Sequence, residues 1–102
     1  MQLLTKEIRE RLPSLGATEH TKDPVAQVKF FTPWSNWTWY GVEFDGEDTF
    51  FGLVQGFEEE LGYFSLSEIE SARGPYGLRI ERDLGFKPTH LSQVRLQQRR
   101  PA

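Results

Sequence analysis

No cysteine occurs in this chain of 102 residues. That absence excludes disulfide staples and thiolate-held zinc, so the core alone must hold the fold. Long apolar runs are missing too, and none approaches the roughly 20 residues that cross a bilayer. The opening MQLLTKEIRERL breaks its apolar positions with charge and lacks the continuous apolar stretch of a secretion signal. These absences predict a cytoplasmic protein with no membrane association. Lysine and arginine are absent from Glu43 to Glu70, a span that holds nine acidic residues. A domain that grips phosphate concentrates positive charge on its folded face. Direct nucleic-acid binding is therefore disfavoured.

Catalytic signatures are equally sparse. His20 and His90 stand seventy residues apart, and no HExxH, GxSxG or Gly-rich phosphate loop is present. Asp45-Gly46-Glu47-Asp48 does not have the ligand spacing of an EF-hand. General acid–base work needs a desolvated carboxyl poised near neutrality, and carboxylates in turns stay ionised. No catalytic residue, metal or cofactor is expected. A carboxylate-dependent enzyme is the third of the functional readings, ahead only of direct nucleic-acid binding.

What the chain does have is aromatic side chains, seven of them in the fifteen residues FFTPWSNWTWYGVEF from Phe30 to Phe44. Alternation and turn residues around this stretch predict strands over 25–32, 37–44, 49–54 and 61–64. Their connections are Pro33-Trp34-Ser35-Asn36, Asp45-Gly46-Glu47-Asp48 and the acidic turn Gly56 to Glu60. On the second strand, alternation puts Trp37, Trp39 and Glu43 on one face and Thr38, Tyr40, Val42 and Phe44 on the other.

Helices flank the strands. Thr5 caps one that runs to about Leu12, with Leu4, Ile8 and Leu12 on one side, before Pro13 and Gly16 stop it. Ser65-Leu66-Ser67-Glu68 reads as a capping box that opens a helix to about Ala72. Leu78 to Asp83 is a short extended segment, and Thr89 caps a last helix starting at His90. The expected fold is α+β: an antiparallel four-stranded β-meander flanked by an N-terminal helix and two short C-terminal helices. Residues 1–94 form one domain, and 95–102, with Arg95, Arg99 and Arg100, form a basic, frayed tail.

In a meander, alternate turns share an end of the sheet. The Pro33 turn and the glutamate turn therefore lie together, and Trp34 becomes an aromatic anchor beside a negative rim. Trp34, Asn36, Tyr40, Glu58, Glu59 and Glu60 are the expected interaction residues, on an acidic surface that suits a protein partner with a basic one. Glu43, if buried, needs a counter-ion, and Arg73, Arg79 and Arg82 are the candidates for a structural ion pair. A second reading takes the acid block as a mimic of DNA charge that inhibits a DNA-processing or restriction enzyme. An exposed edge strand would also let two copies pair as a homodimer.

The strings LLTKEI, VKFFTPWSNWTWY, FFGLVQGFEEELGYFSLSEIES and RGPYGLRIERDLGFKP resemble a family of small bacterial domains of unknown function. Such domains are often encoded on plasmids and other mobile elements. The resemblance runs from Leu3 to about Val94. It implies a role in plasmid maintenance, transfer or conflict with host restriction systems, and brings no catalytic residue to any position here.

Overall fold

The computed structural model describes residues 2–98, with the side chains of residues 97 and 98 left aside. The elements run in order α1 (Lys6–Arg11), β1 (Val25–Ala26), β2 (Val28–Phe31), β3 (Thr38–Phe44), β4 (Thr49–Gln55), β5 (Glu59–Ser65), α2 (Leu66–Ser71), a short 3-10 turn (Pro75–Gly77), β6 (Glu81–Arg82), β7 (Thr89–His90) and α3 (Leu91–Gln98). Two of the three helix caps expected from the sequence, Thr5 and Ser65, form as their side chains dictate. Thr5 Oγ1 accepts from the Ile8 N–H at 3.2 Å, and Ser65 Oγ from the Glu68 N–H at 3.3 Å. The α+β class, the N-terminal helix and the two C-terminal helices are as expected.

The sheet is not the expected four-stranded meander. Seven strands form two sheets: five antiparallel strands in the order β5-β4-β3-β2-β6, and a separate ribbon of β1 with β7. Two local events account for the difference. First, the predicted strand over 25–32 breaks at Gln27, whose N–H donates to Gly41 O at 2.8 Å, while Val25 and Ala26 turn away to pair with His90 and Thr89. Thr89 and His90 are thereby strand residues, and α3 starts at Leu91 rather than at His90. Second, the outer edge of β2 is not left bare. Phe30 and Phe31 pair with Arg82 and Glu81, and Lys29 O accepts from the Asp83 N–H at 2.9 Å. Of the tail expected over 95–102, residues 95–98 belong to α3, and 99–102 lie outside the described residues.

Register along β3 carries a second correction. Gly41 faces Gly52 and Glu43 faces Phe51, so two steps on β3 oppose one on β4. This β-bulge reverses the alternation beyond it. Phe44 joins Val28, Phe30 and Phe50 on the face covered by Leu3, Leu4, Leu12, Leu66, Ile69 and Ile80. Trp39 packs against that same cluster. Glu43 moves to the opposite face, away from the tryptophans it was expected to accompany. There Tyr40, Val42 and Leu53 pack against Ala26, Leu91 and Val94, with Phe86 at the margin.

Phe50 sits at the centre of the first face, fully buried, with Phe30, Phe44 and Phe64 rings 5.7, 4.5 and 5.0 Å from its own. Burial of one such ring stabilises by about 1.5–3 kcal/mol. Phe30, Tyr40, Phe44 and Phe50 are buried in the two faces, whereas Phe57, Tyr63 and Tyr76 are exposed.

Candidate functional site

The connections 32–37 and 56–58 meet at one end of the sheet, because Thr38 pairs with both Phe31 and Gln55, and Gln55 pairs with Glu59. The 32–37 turn is closed by its own hydroxyls. Thr32 Oγ1 accepts from the Trp37 N–H at 3.2 Å and also contacts Ser35 Oγ, while Thr32 N–H donates to Trp37 O at 3.1 Å. Asn36 is exposed at the tip.

Each indole at this end rests on a glycine. A Cβ on Gly74 would stand 2.3 Å from Trp34 Cδ2, and one on Gly56 would stand 2.5 Å from Trp37 Cη2. No side chain fits either space. Trp34 is half-buried against the core and pins the segment that follows α2. The tryptophan that lies on the glutamate turn is Trp37, whose ring is stacked on Trp39 at 5.9 Å and meets the edge of Phe57 at 5.5 Å. Phe57 is 96% exposed. Sequence reasoning passed over it, although a phenylalanine between Gly56 and three successive glutamates is itself a signal: a turn has no core to offer it.

The predicted site residues are therefore divided. Tyr40 is 2% exposed, in the second core cluster with Lys29 Nζ 5.7 Å from its ring centroid, and presents no contact surface. Glu58 is exposed in the turn, and Glu59 and Glu60 belong to β5 rather than to that turn, so alternation sends them to opposite faces. Glu59 is tied down: it accepts from Gln55 Nε2 at 2.9 Å and lies 3.4 Å from Arg95 Nε. Glu60 is exposed, opposite Val54 on the tryptophan face. Among the described residues the carboxylates of Glu58 and Glu60 have no hydrogen-bond or ion-pair partner.

The single acidic surface expected from composition is not formed, because the first acidic stretch is consumed by the fold. Asp45 Oδ1 accepts from the N–H groups of Glu47, Asp48 and Thr49 at 2.8, 2.8 and 3.0 Å. Those bonds hold its carboxyl below the ordinary 3.8. Asp48 reaches across to α2, accepting from Ser65 Oγ at 2.6 Å, Ser67 N–H at 2.8 Å and Ser67 Oγ at 2.9 Å. It is lowered likewise.

Glu43 is 3% exposed and pairs with none of the expected arginines. Arg73 Nη1 donates to Glu70 O and Ala72 O at the end of α2, Arg82 Nη1 reaches Gln2 O, and Arg79 is exposed. Glu43 is held by the 13–24 loop. Oε1 accepts from the Gly16 N–H at 2.7 Å, and Oε2 from the Thr18 N–H at 2.9 Å and the Thr18 hydroxyl. Burial raises its carboxyl, but the Thr18 and Gly16 hydrogen bonds outweigh that and leave it below its ordinary 4.5. An ionised carboxylate with both oxygens occupied neither donates nor takes a proton near neutrality, which argues against general acid–base use.

Beside Glu43 the same loop walls a cleft of about 850 Å³. Phe51, Leu61, Tyr63 and Leu91 line it, together with Lys22 and Arg95. Asp23, also in the lining, is committed to the start of α3, accepting from Ser92 N–H at 3.0 Å and Ser92 Oγ at 2.7 Å. No group of three or more His, Cys, Asp or Glu able to hold a metal ion occurs among the described residues, and no described helix is long and apolar enough to cross a membrane.

The chain belongs to the family described as protein of unknown function (DUF2958), whose profile matches residues 3–99. That description carries neither a mobile-element setting nor a cellular compartment, so those two expectations gain nothing from it. No curated protein and no solved structure matched the chain.

Proposed function

We propose that this domain is a non-enzymatic protein-interaction module, and that its contact patch is the sheet end formed by Trp37, Phe57, Glu58 and Glu60, with Asn36 at the margin. The observation that carries the reading is Phe57, 96% exposed yet seated edge-on against a stacked tryptophan pair. A phenylalanine in water forgoes about 1.5–3 kcal/mol of burial. Among the described residues its ring contact is with Trp37. Apolar groups presented this way, on a rigid aromatic base and rimmed by charge, are typical anchors of protein interfaces. The carboxylates of Glu58 and Glu60 flank it without a partner among the described residues, so the complementary surface is an apolar socket bordered by lysine or arginine.

Mimicry of duplex charge has no comparable support. It needs carboxylates in a row, and those of Glu43, Asp45, Asp48 and Glu59 are each turned inward or sideways onto donors of their own chain. The arrangement of Phe57 favours a socket over a phosphate-like track.

The test is site-specific photo-crosslinking in the producing cell from position 57, with position 84 as the control, since Leu84 is also exposed, at 72%, but lies elsewhere. A discrete adduct from position 57 that is absent from 84, and is lost when Glu58→Lys and Glu60→Lys are added, is the expected result. Identical adducts from both positions, or an adduct indifferent to the charge reversal, would overturn the patch.

A further inference from the structure

The two edges of the five-stranded sheet differ sharply. One ends in β6, only two residues long, Glu81–Arg82. The other is β5, seven residues from Glu59 to Ser65, with no strand beyond it. Bonds at the two ends of the β4–β5 pair fix which of its groups are free. Leu66 N–H donates to Asp48 O at 2.8 Å and Gly56 N–H to Glu58 O at 3.0 Å. Hydrogen-bonded pairs therefore fall on even-numbered residues of β5, and Glu59, Leu61 and Tyr63 turn their N–H and C=O groups outward. Leu61 and Tyr63 are also 50% and 70% exposed, and both line the cleft, which lies open on that side.

We infer that β5 pairs antiparallel with β5 of a second copy of this chain, about a two-fold axis at Gly62, to give a continuous ten-stranded sheet across the dimer. Independent of the proposed function, this rests on self-complementarity. A dyad at Gly62 sets Leu61 against Tyr63 of the second copy and Tyr63 against its Leu61. Those are the residues whose outward backbone groups are free to exchange both hydrogen bonds. Glu59 meets Ser65 and Glu60 meets Phe64, so no glutamate opposes another. Moving the dyad to residue 60 would place Glu60 against itself, a destabilising pair. The dyad at Gly62 is also the one that pairs all seven residues of the strand. Leu61 and Tyr63 then form a cross-strand apolar cluster of four side chains, and each copy extends the wall of the other's cleft. One strand pair is a small interface, so the association is expected to be reversible and in the micromolar range.

The absence of cysteine makes the test clean. Gly62 has open space where a Cβ would stand, and in this register its Cα would face the Gly62 Cα of the second copy as a non-hydrogen-bonded pair, about 4.5 Å away. That separation admits a disulfide. Gly62→Cys is expected to oxidise to a covalent dimer at least ten-fold faster than Glu60→Cys or Leu84→Cys. The unsubstituted chain should double in mass with concentration in sedimentation velocity. Leu61→Pro removes an outward N–H and leaves the β4 ladder intact, so it should weaken that association at least ten-fold while the far-ultraviolet spectrum holds. A chain monomeric to about 0.5 mM, or a dimer indifferent to Leu61→Pro, would overturn the inference. Oxidation of Gly62→Cys no faster than the controls would do the same.

Discussion

At one end of the sheet Asp45 gathers three backbone N–H groups onto a single oxygen, Asp48 fastens the start of α2, and Glu43 behind them holds the 13–24 loop. At the other end the carboxylates of Glu58 and Glu60 have no partner among the described residues and stand beside an exposed Phe57. The two stretches have similar composition and were indistinguishable as acid-rich turns. Glu43, Asp45 and Asp48 meet donors of their own chain, whereas the carboxylates of Glu58 and Glu60 meet none among the described residues. The acid count of a segment thus says little about which carboxylates are committed to the fold. What decides is whether backbone N–H groups, freed at a turn or a helix start, lie within reach of the side chain.

The comparison breaks most visibly at Glu43. Glu43→Ala leaves the Gly16 and Thr18 donors without their acceptor at a part-buried site. We expect a loss of about 3 kcal/mol, read as a lower urea midpoint at unchanged slope. Glu43→Gln keeps one acceptor oxygen and should lose roughly half of that. A loss below about 1 kcal/mol for the alanine variant would mean that the loop is held by something else.

Acid titration probes the same asymmetry. Glu43, Asp45, Asp48 and Asp23 all have folded-state carboxyls below their ordinary values of 4.5 and 3.8. A lowered folded pKa means that the unfolded chain takes up the proton first. The stabilisation is complete above the unfolded values, about pH 5 and higher, and is lost as pH falls through the folded ones. Thermal unfolding followed from pH 6 to pH 2 should show the midpoint dropping below about pH 4. Asp45→Asn with Asp48→Asn should start lower and fall less steeply. An unchanged acid limb in that variant would show that the hydrogen bonds at the first turn do not stabilise the charged form.

Gly56 sharpens the comparison from the other end. Gly56→Ala places a methyl group where Trp37 already lies, so the ring must move. A cost of about 1–3 kcal/mol is expected, together with a shift in tryptophan emission. Loss of stability without any spectral change would mean that the turn yields and Trp37 stays.

Much of the fold could be read from local chemistry. Both capped helix starts and the strand cores around Phe30, Tyr40 and Phe50 follow from periodicity and turn residues alone. The misreadings share one cause: interactions over long sequence separations. Nothing near Gly41 announces that the register will slip there, yet the bulge decides that Glu43 leaves the tryptophan face. Likewise Thr89 looks like a helix cap until Ala26, 63 residues earlier, claims it as a strand partner. Two-residue strands such as β6 and β7 depend on a neighbour: Leu78 to Asp83 reads as extended, but its pairing with β2 could not be read from any one window of the sequence. For the site, the shared end of the sheet was legible and the residue at its centre was not. Trp34 drew attention because of the proline beside it, whereas the glycine that receives its ring, Gly74, is 40 residues away. Gly56 and Phe57 lay side by side in plain view.

The smallest effect on the fold is expected where the proposal asks most of function. Glu58→Lys with Glu60→Lys changes two exposed side chains without a partner among the described residues, and Phe57→Ala removes a ring whose ring partner among them is Trp37. Each should alter stability by no more than about 0.5 kcal/mol. The paired measurement is capture of the position-57 partner once it is in hand. Charge reversal should lower the association rate and its salt dependence, because rim charges act during approach. Phe57→Ala should instead speed dissociation, because an anchor acts once seated. If the two variants shifted the same rate constant in the same proportion, the anchor and the rim would not be separate elements. The contrast between a committed turn and a free one would then describe the fold alone.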